Sequence, residues 1–421
     1  MANLKKNIFY LVVIQGLNFL VPLLIFPYLA RTLGTVNFGK LSFATTVILY
    51  CNILIDYGFT LSATKQIAEV QQDNIKINNI FWDVFFSKLL LFILTIILIV
   101  IATFLFTKLE EVSLILLALI PQLLASAIFP LWYFQGIEKI NVIVLSQVIA
   151  KFSILPLTFF IVTSSGDVVK AAAIQSLGLL FAAILSWIYI YRKSAIRLPV
   201  NLKLINIANQ IKDSTSFFIG GFAISLYTIS TPLLLGFLST SHEVGIYSAA
   251  DKLRSAIAAI FIIAGGAIFP RITALFTSDP NKAFYLLKQI MIIQFLLLTS
   301  ISISYLLLGE NIINIVLGTS YHEAAKLNPL LIIAMFCSVI SVILCNYILV
   351  PLGHKKIYYR VPIFIGIVHL IYSWVLVKHF AAMGASISIA ISEFLTLLIL
   401  FGCCLKLGYI KKIIFASPSN N

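Results

Sequence analysis

Apolar residues come in blocks of about twenty along the whole chain, each closed by a short stretch that holds lysine, arginine, glycine or proline. A block of that length crosses a ~30 Å hydrocarbon core as a helix. Inside lipid the backbone has no water to bond, so each block predicts a helix, which satisfies its own amides. The pattern predicts about twelve spans: 8–30, 41–61, 82–106, 113–135, 142–162, 168–190, 215–238, 246–269, 284–308, 327–351, 358–378 and 382–405. The segment "NIINIVLG" (311–318) is too short to cross and is expected at the interface.

Composition removes the soluble alternative. Of 421 residues, 61% are hydrophobic and 10% charged, where a soluble domain has about half and a quarter. An all-α integral membrane protein follows. Lys5 and Lys6 precede an apolar run that continues from Ile8 to Ala30 without a small-residue cleavage site, so the run is expected to be a retained first span and not a signal peptide. The five cysteines (Cys51, Cys337, Cys345, Cys403, Cys404) sit in apolar blocks with no metal spacing.

An even span count puts both termini on one side, and lysine plus arginine decides which. That side receives 21 of the 29 cations, leaving Arg31, Lys40, Lys108, Lys170, Lys252, Arg254, Lys326 and Lys378 on the other. Both termini are therefore expected in the cytoplasm. The longest connection, 191–214, carries Arg192, Lys193, Arg197, Lys203 and Lys212 and is expected there too. The net charge of +14 reflects this topology and an attraction to anionic lipid, with no implication of nucleic acid.

The halves resemble each other. "PYLARTLGTVNFGKLSFA" (27–44) links spans 1 and 2, and "PLLLGFLSTSHEVGIYSAADKLR" (232–254) links spans 7 and 8. Pro27 aligns with Pro232, Gly39 with Gly245 and Ala44 with Ala250 with one inserted residue; "FQGIEK" (134–139) and "PLGHKK" (351–356) pair Gly136 with Gly353 and Lys139 with Lys356. The expected organisation is a six-helix lobe at 1–190, a basic linker at 191–214 and a second, parallel lobe at 215–421. A transporter with its site between two repeats has this arrangement.

"GTVNFGKL" (34–41) nearly spells a phosphate-cradling loop, but Leu41 stands where the magnesium-binding hydroxyl belongs and no soluble strand precedes it. An ATPase is rejected. The hairpin cations Arg31, Lys40, Lys252 and Arg254 read two ways. Singly, each can be a helix-end side chain snorkelling to lipid phosphate. Together, they place orientation-opposing charge at the same position in both halves, and an intramembrane cation usually faces the protein interior. A ring of such groups suits an anionic substrate, with arginine matched to phosphate oxygens.

Lys151, about nine residues into span 5, either pairs with an acid such as Glu393 or contacts substrate. Lys88 is expected to snorkel, and Asp56 to pair with Lys65. Asp251 is expected to orient the neighbouring cations, and Glu393, the acid nearest mid-membrane, is a candidate coupling-ion site. Pro22, Pro27, Pro156 and Pro232 permit kinks. His242, His322, His354, His369 and His379 are scattered, with no metal motif and no paired carboxylates, so neither enzyme chemistry nor a cofactor is expected. Trp132, Tyr133 and Phe134 are expected as interfacial anchors in preference to a sugar-stacking platform.

Five segments in order, "PYLARTLGTVNFGKLSFA", "DYGFTLSATKQIA" (56–68), "FPLWYFQGIEKI" (129–140), "VGIYSAADKLRSAI" (244–257) and "IFPRITAL" (268–275), resemble the O-antigen (Wzx type) polysaccharide flippases of the multidrug/oligosaccharidyl-lipid/polysaccharide exporter superfamily. The resemblance covers residue 1 to about 405. It implies a V-shaped pair of six-helix lobes around a cationic cavity in a bacterial inner membrane. It further implies transfer of undecaprenyl-diphosphate-linked oligosaccharide repeat units from the cytoplasmic to the periplasmic leaflet, in the company of other glycan-assembly membrane proteins. By position in the motifs, Arg31 and the run Asp251, Lys252 and Arg254 would be cavity charges; Lys151 and Glu393 match no motif. A cation-coupled multidrug exporter of the same superfamily would favour an acid-rich cavity. A membrane glycan polymerase would need a longer outer loop.

Overall fold

In the computed structural model, residues 2–193, 196–197 and 203–416 are described, with backbone alone at 2–20, 263, 264, 266, 267, 270 and 355. The side chains of Lys5 and Lys6, and positions 194–195 and 198–202 of the expected basic linker, lie outside the described residues. Among the described residues there is no strand. Eight helices are long and apolar enough to cross a bilayer, or nine if one bent pair counts as a span. The protein is an all-α, multi-pass membrane protein, as its apolar blocks predict. It divides into two compact units, Met1–Phe222 and Ala223–Asn421.

In the first unit, α1 (Ala2–Asp56) contains the first expected span and most of the second. At Gly34 the backbone leaves helical geometry, with φ 71° and ψ 172°. The chain doubles back there: the rings of Phe26 and Phe38 lie 5.7 Å apart, although a straight helix would separate them by about 18 Å. Then follow α2 (Phe59–Glu69), α3 (Asn74–Leu105), α4 (Thr107–Glu110), α5 (Ser113–Ile128), α6 (Leu131–Gly136), α7 (Ile140–Ile161) and α8 (Val168–Lys193). Helices α5 and α7 both pack on α8, and α1 packs on α5 and α7. Gly178 lets α7 and α8 approach closely, since a Cβ there would occupy the space of the Ile154 side chain.

The aromatic triplet departs from its expected place. Trp132, Tyr133 and Phe134 are all buried, so they are not interfacial anchors. Helix α5 stops at Ile128, and Pro130 separates it from the short α6, which packs against α2. That break turns Trp132 and Tyr133 inward onto Phe81, which also meets Trp187, and Phe134 onto Tyr189.

The second unit takes the end of α9 (Leu204–Thr228), α10 (Ser230–Leu238), α11 (Ser241–Ser278), α12 (Pro280–Leu317), α13 (Asn328–Val342), α14 (Lys355–Lys406) and α15 (Tyr409–Ile414). Between α9 and α10 the axis bends by 57°. Pro232 has no amide for the Thr228 carbonyl and its ring would strike it, so α9 ends at Thr228. Helix α12 runs unbroken to Leu317, so most of "NIINIVLG" forms its last turns and not a separate interfacial segment; Gly309 and Glu310 do not interrupt it. Helix α13 passes into a π-helical turn at Ile343–Leu349. Helix α14 holds the last two expected spans. It reverses at Ala381 (φ 46°, ψ −125°), which brings the Tyr372 hydroxyl to 2.5 Å from Ser392 Oγ.

Matching local devices recur in the two halves. Asp73 caps α3 by accepting from the amides of Ile75 and Lys76, and Asp279 caps α12 by accepting from Asn281 and Lys282. After α6 the Lys139 amide bonds back to Phe134 O over a left-handed Glu138; after the π turn the His354 amide bonds back to Leu349 O over a left-handed Gly353. The structural counterpart of Gly353 is thus Glu138, two residues beyond the Gly136 that sequence alignment pairs with it.

Candidate functional site

The second unit gathers three of the expected charges. Asp251, Lys252 and Arg254 lie at the junction of the third and fourth turns of α11, whose first turn is capped by Thr240 Oγ1 accepting from the Glu243 amide. Residues three apart share a helix face. Arg254 Nε accordingly donates to Asp251 Oδ1 at 2.7 Å, with the two side chains only 13% and 24% exposed. Lys252 falls on a different side of the helix and is exposed. Glu393, half-buried on the second arm of α14, lies within electrostatic reach of both Arg254 and Asp251.

The reversals of the chain assemble this cluster. Glu243 accepts from the Ala382 amide at 3.0 Å, tying the start of α11 to the turn of α14. A buried polar chain then links the Asp251 side of the cluster to the Glu393 side. Tyr247, one turn before Asp251, bonds Thr231, and Thr231 Oγ1 is 3.2 Å from His369 Nε2. His369 Nδ1 is 2.7 Å from Ser392 Oγ, the neighbour of Glu393. In the sequence His369 looks like one scattered histidine among five. The signal that could have found it was a polar set, Thr231, His369, Tyr372 and Ser392, inside otherwise apolar blocks, since buried polar groups require partners.

The first unit places Arg31 and Lys40 on opposite arms of the Gly34 hairpin, Arg31 exposed and Lys40 half-buried. The hairpin is fixed to the end of α7. Tyr28 Oη donates to Val162 O at 2.7 Å and to Phe159 O at 3.1 Å, and Asn37 Nδ2 donates to Ser165 O at 2.8 Å. Helix resumes immediately after Gly34, so "GTVNFGKL" is no phosphate loop. Lys151 lies half-buried in the middle of α7. Two other cations expected on the outer side are matched locally: Lys170 pairs with Asp167, and Lys108 with Glu111 at 3.9 Å.

Lys88 and Asp56 do not behave as expected. Lys88 does not snorkel; its side chain is 4% exposed and Nζ reaches Asp56 Oδ1 at 3.2 Å. Thr60 Oγ1 donates to the same carboxylate at 2.7 Å. Lys65 pairs with Glu69 instead, at 3.8 Å on the surface. The reason is steric: α3 packs against α1 and encloses Lys88, so an internal acid is the partner within reach.

Comparison with known proteins agrees with this picture. A family described as polysaccharide biosynthesis protein matches residues 4–276. The chain is 34% identical over 393 residues to a curated "Putative O-antigen transporter" of Escherichia coli (strain K12), covering 93% of this chain and 94% of that protein. It is 32% identical over 397 residues to one of the same name from Shigella dysenteriae, covering 94% and 98%. Among solved structures, an inward-facing multidrug resistance MATE family transporter of the MOP superfamily superposes with a TM-score of 0.68 at 15% identity, covering 96% of each chain. The lipid II flippase MurJ in an inward closed conformation superposes at 0.67 with 13% identity, covering 98% of this chain and 90% of that one.

Proposed function

The chain belongs to the polysaccharide biosynthesis protein family, and on that premise we propose that it is a flippase for undecaprenyl-diphosphate-linked oligosaccharide repeat units. The units would pass from the cytoplasmic to the periplasmic leaflet of a bacterial inner membrane, with both chain termini in the cytoplasm. The observation that carries the reading is Arg254 held at 2.7 Å by Asp251 on α11, the helix that holds the expected span 246–269. A charge on a helix that crosses the bilayer is costly and marks a substrate or ion path. Asp251 takes the Nε hydrogen and Ser255 Oγ accepts a long bond of 3.4 Å from one terminal amino group, and the remaining guanidinium hydrogens are suited to phosphate oxygens.

In this reading Arg31, Lys40, Lys151, Lys252 and Arg254 supply positive charge to a pyrophosphate, Asp251 orients the arginine, and Glu393 binds the coupling ion. The glycan occupies water, the polyprenyl tail stays in lipid, and alternating access moves the headgroup. Other glycan-assembly membrane proteins would hand over and receive the lipid-linked unit. The names of the curated relatives support a transporter.

The test is complementation of a bacterium that lacks its own O-antigen transporter. Expression of this chain restores surface glycan, and replacing Arg31 and Arg254 together by glutamine abolishes it while the protein remains in the membrane. Unchanged surface glycan in the double variant would sink the electrostatic part. A single repeat unit trapped on the outer leaflet in cells deleted for the protein would indicate a polymerase, and resistance to cationic drugs without glycan rescue would indicate a drug exporter.

A further inference from the structure

A groove outside this machinery opens on the surface of the first unit. It is about 800 Å³ and is lined by Trp82, Phe85, Ile128, Ile184, Trp187, Ile188, Tyr191 and Arg192, a volume within the roughly 300–1,000 Å³ of ligand sites. Apart from Tyr191 and Arg192, its walls offer a ligand hydrocarbon. Both indole N–H groups are already used, Trp187 Nε1 donating to Ile128 O at 2.7 Å and Trp82 Nε1 to Arg197 O at 2.6 Å. The tryptophans therefore bring no free N–H donor to the groove. Ile184 and Ile188 are partly exposed and Tyr191 is 91% exposed, so the groove is open along its length.

One end is different. Arg192 lines it, and Lys193 follows at the end of α8. Arg197 is fastened beside the same wall through its backbone: its carbonyl accepts from Trp82, and its amide donates to Asn78 Oδ1 at 2.8 Å. Two exposed arginines are thus attached to one mouth of an apolar channel, one by helix α8 and one by a residue that also forms the wall. Fixed cations at the end of a hydrocarbon slot complement an amphiphile with an anionic head.

We propose that this groove binds an anionic phospholipid, with one acyl chain against Trp82, Phe85 and Trp187 and the phosphate held by Arg192 and Arg197. The cation bias of the connections puts this end in the cytoplasmic leaflet. A bulk phospholipid is the occupant because the groove is open. Such a site binds modestly, and mass action fills it with an abundant lipid before a scarce carrier.

The experiment is quenching of tryptophan fluorescence in phosphatidylcholine nanodiscs. Trp374, exposed elsewhere, is replaced by phenylalanine; Trp132 is buried. Dibrominated phosphatidylglycerol at a tenth of the lipid should quench Trp82 and Trp187 several-fold more than the same fraction of dibrominated phosphatidylcholine. R192Q/R197Q should make the two lipids equal; both residues are exposed, and melting temperature checks that the fold is retained. Equal quenching in the parent protein overturns the proposal, as does a preference that survives R192Q/R197Q. Loss of quenching on adding equimolar geranylgeranyl diphosphate also overturns it, in favour of an isoprenoid carrier.

Discussion

Phe26 and Phe38 face each other across the Gly34 turn, their ring centroids 5.7 Å apart and both side chains buried. The contact exists because one glycine takes a backbone conformation, φ 71° and ψ 172°, that only glycine adopts readily. The same turn positions Arg31 and Lys40 on neighbouring arms.

Gly34→Val is therefore expected to destabilise the protein by about 1–3 kcal/mol through the backbone alone, because nothing lies within 4 Å of a Cβ at that position. Gly34→Asn should not rescue it, since asparagine tolerates the left-handed helical region and not this one. Gly408→Asn, at φ 75° and ψ 6°, should be tolerated. Thermal unfolding in detergent separates the three.

Lys88→Met leaves the Asp56 carboxylate without its cation. Breaking a buried pair costs about 3–5 kcal/mol; the lower end, about 3 kcal/mol, is expected here because Asp56 keeps a third of its side chain exposed. Lys88→Met combined with Asp56→Asn should regain a large part of that loss. A double-mutant cycle read by melting temperature measures the coupling.

Arg254→Lys keeps the charge but loses the Nε bond to Asp251. A hydrogen bond to a charged group contributes roughly 1.5–3 kcal/mol, so transport should fall by about tenfold or more. Asp251→Asn should reduce transport less, because arginine remains and a neutral oxygen can still accept. Surface glycan in the complemented strain, normalised to protein in the membrane, is the readout.

Asp73 and Asp279, both outside the membrane spans, are held below the usual carboxylate range, first by the capped amides of Lys76 and Lys282 respectively. A carboxyl depressed in the folded state stabilises above its unfolded pKa of 3.8 and loses that contribution as pH falls through the lower, folded value. Asp73→Ala should lower the melting temperature at neutral pH, and the gap from the parent should close in acid. A gap that stayed constant below pH 4 would refute the capping account.

The sequence by itself determined the class of the protein and the approximate place of most apolar helices, because lipid leaves a long apolar block no alternative to a helix. It also marked the hairpin residues Arg31, Lys40, Asp251, Lys252 and Arg254, since charge within apolar surroundings stands out in one dimension. Tertiary structure alone decided who meets whom. Asp56 took Lys88 and not Lys65, and His369 joined Thr231 and Ser392, because those partners lie on helices distant in sequence. Trp132, Tyr133 and Phe134 went inward because a proline break rotated α6, and no period in the chain encodes that rotation. Local chemistry is written residue by residue, whereas the cost of a buried charge or amide depends on which distant helix packs against it.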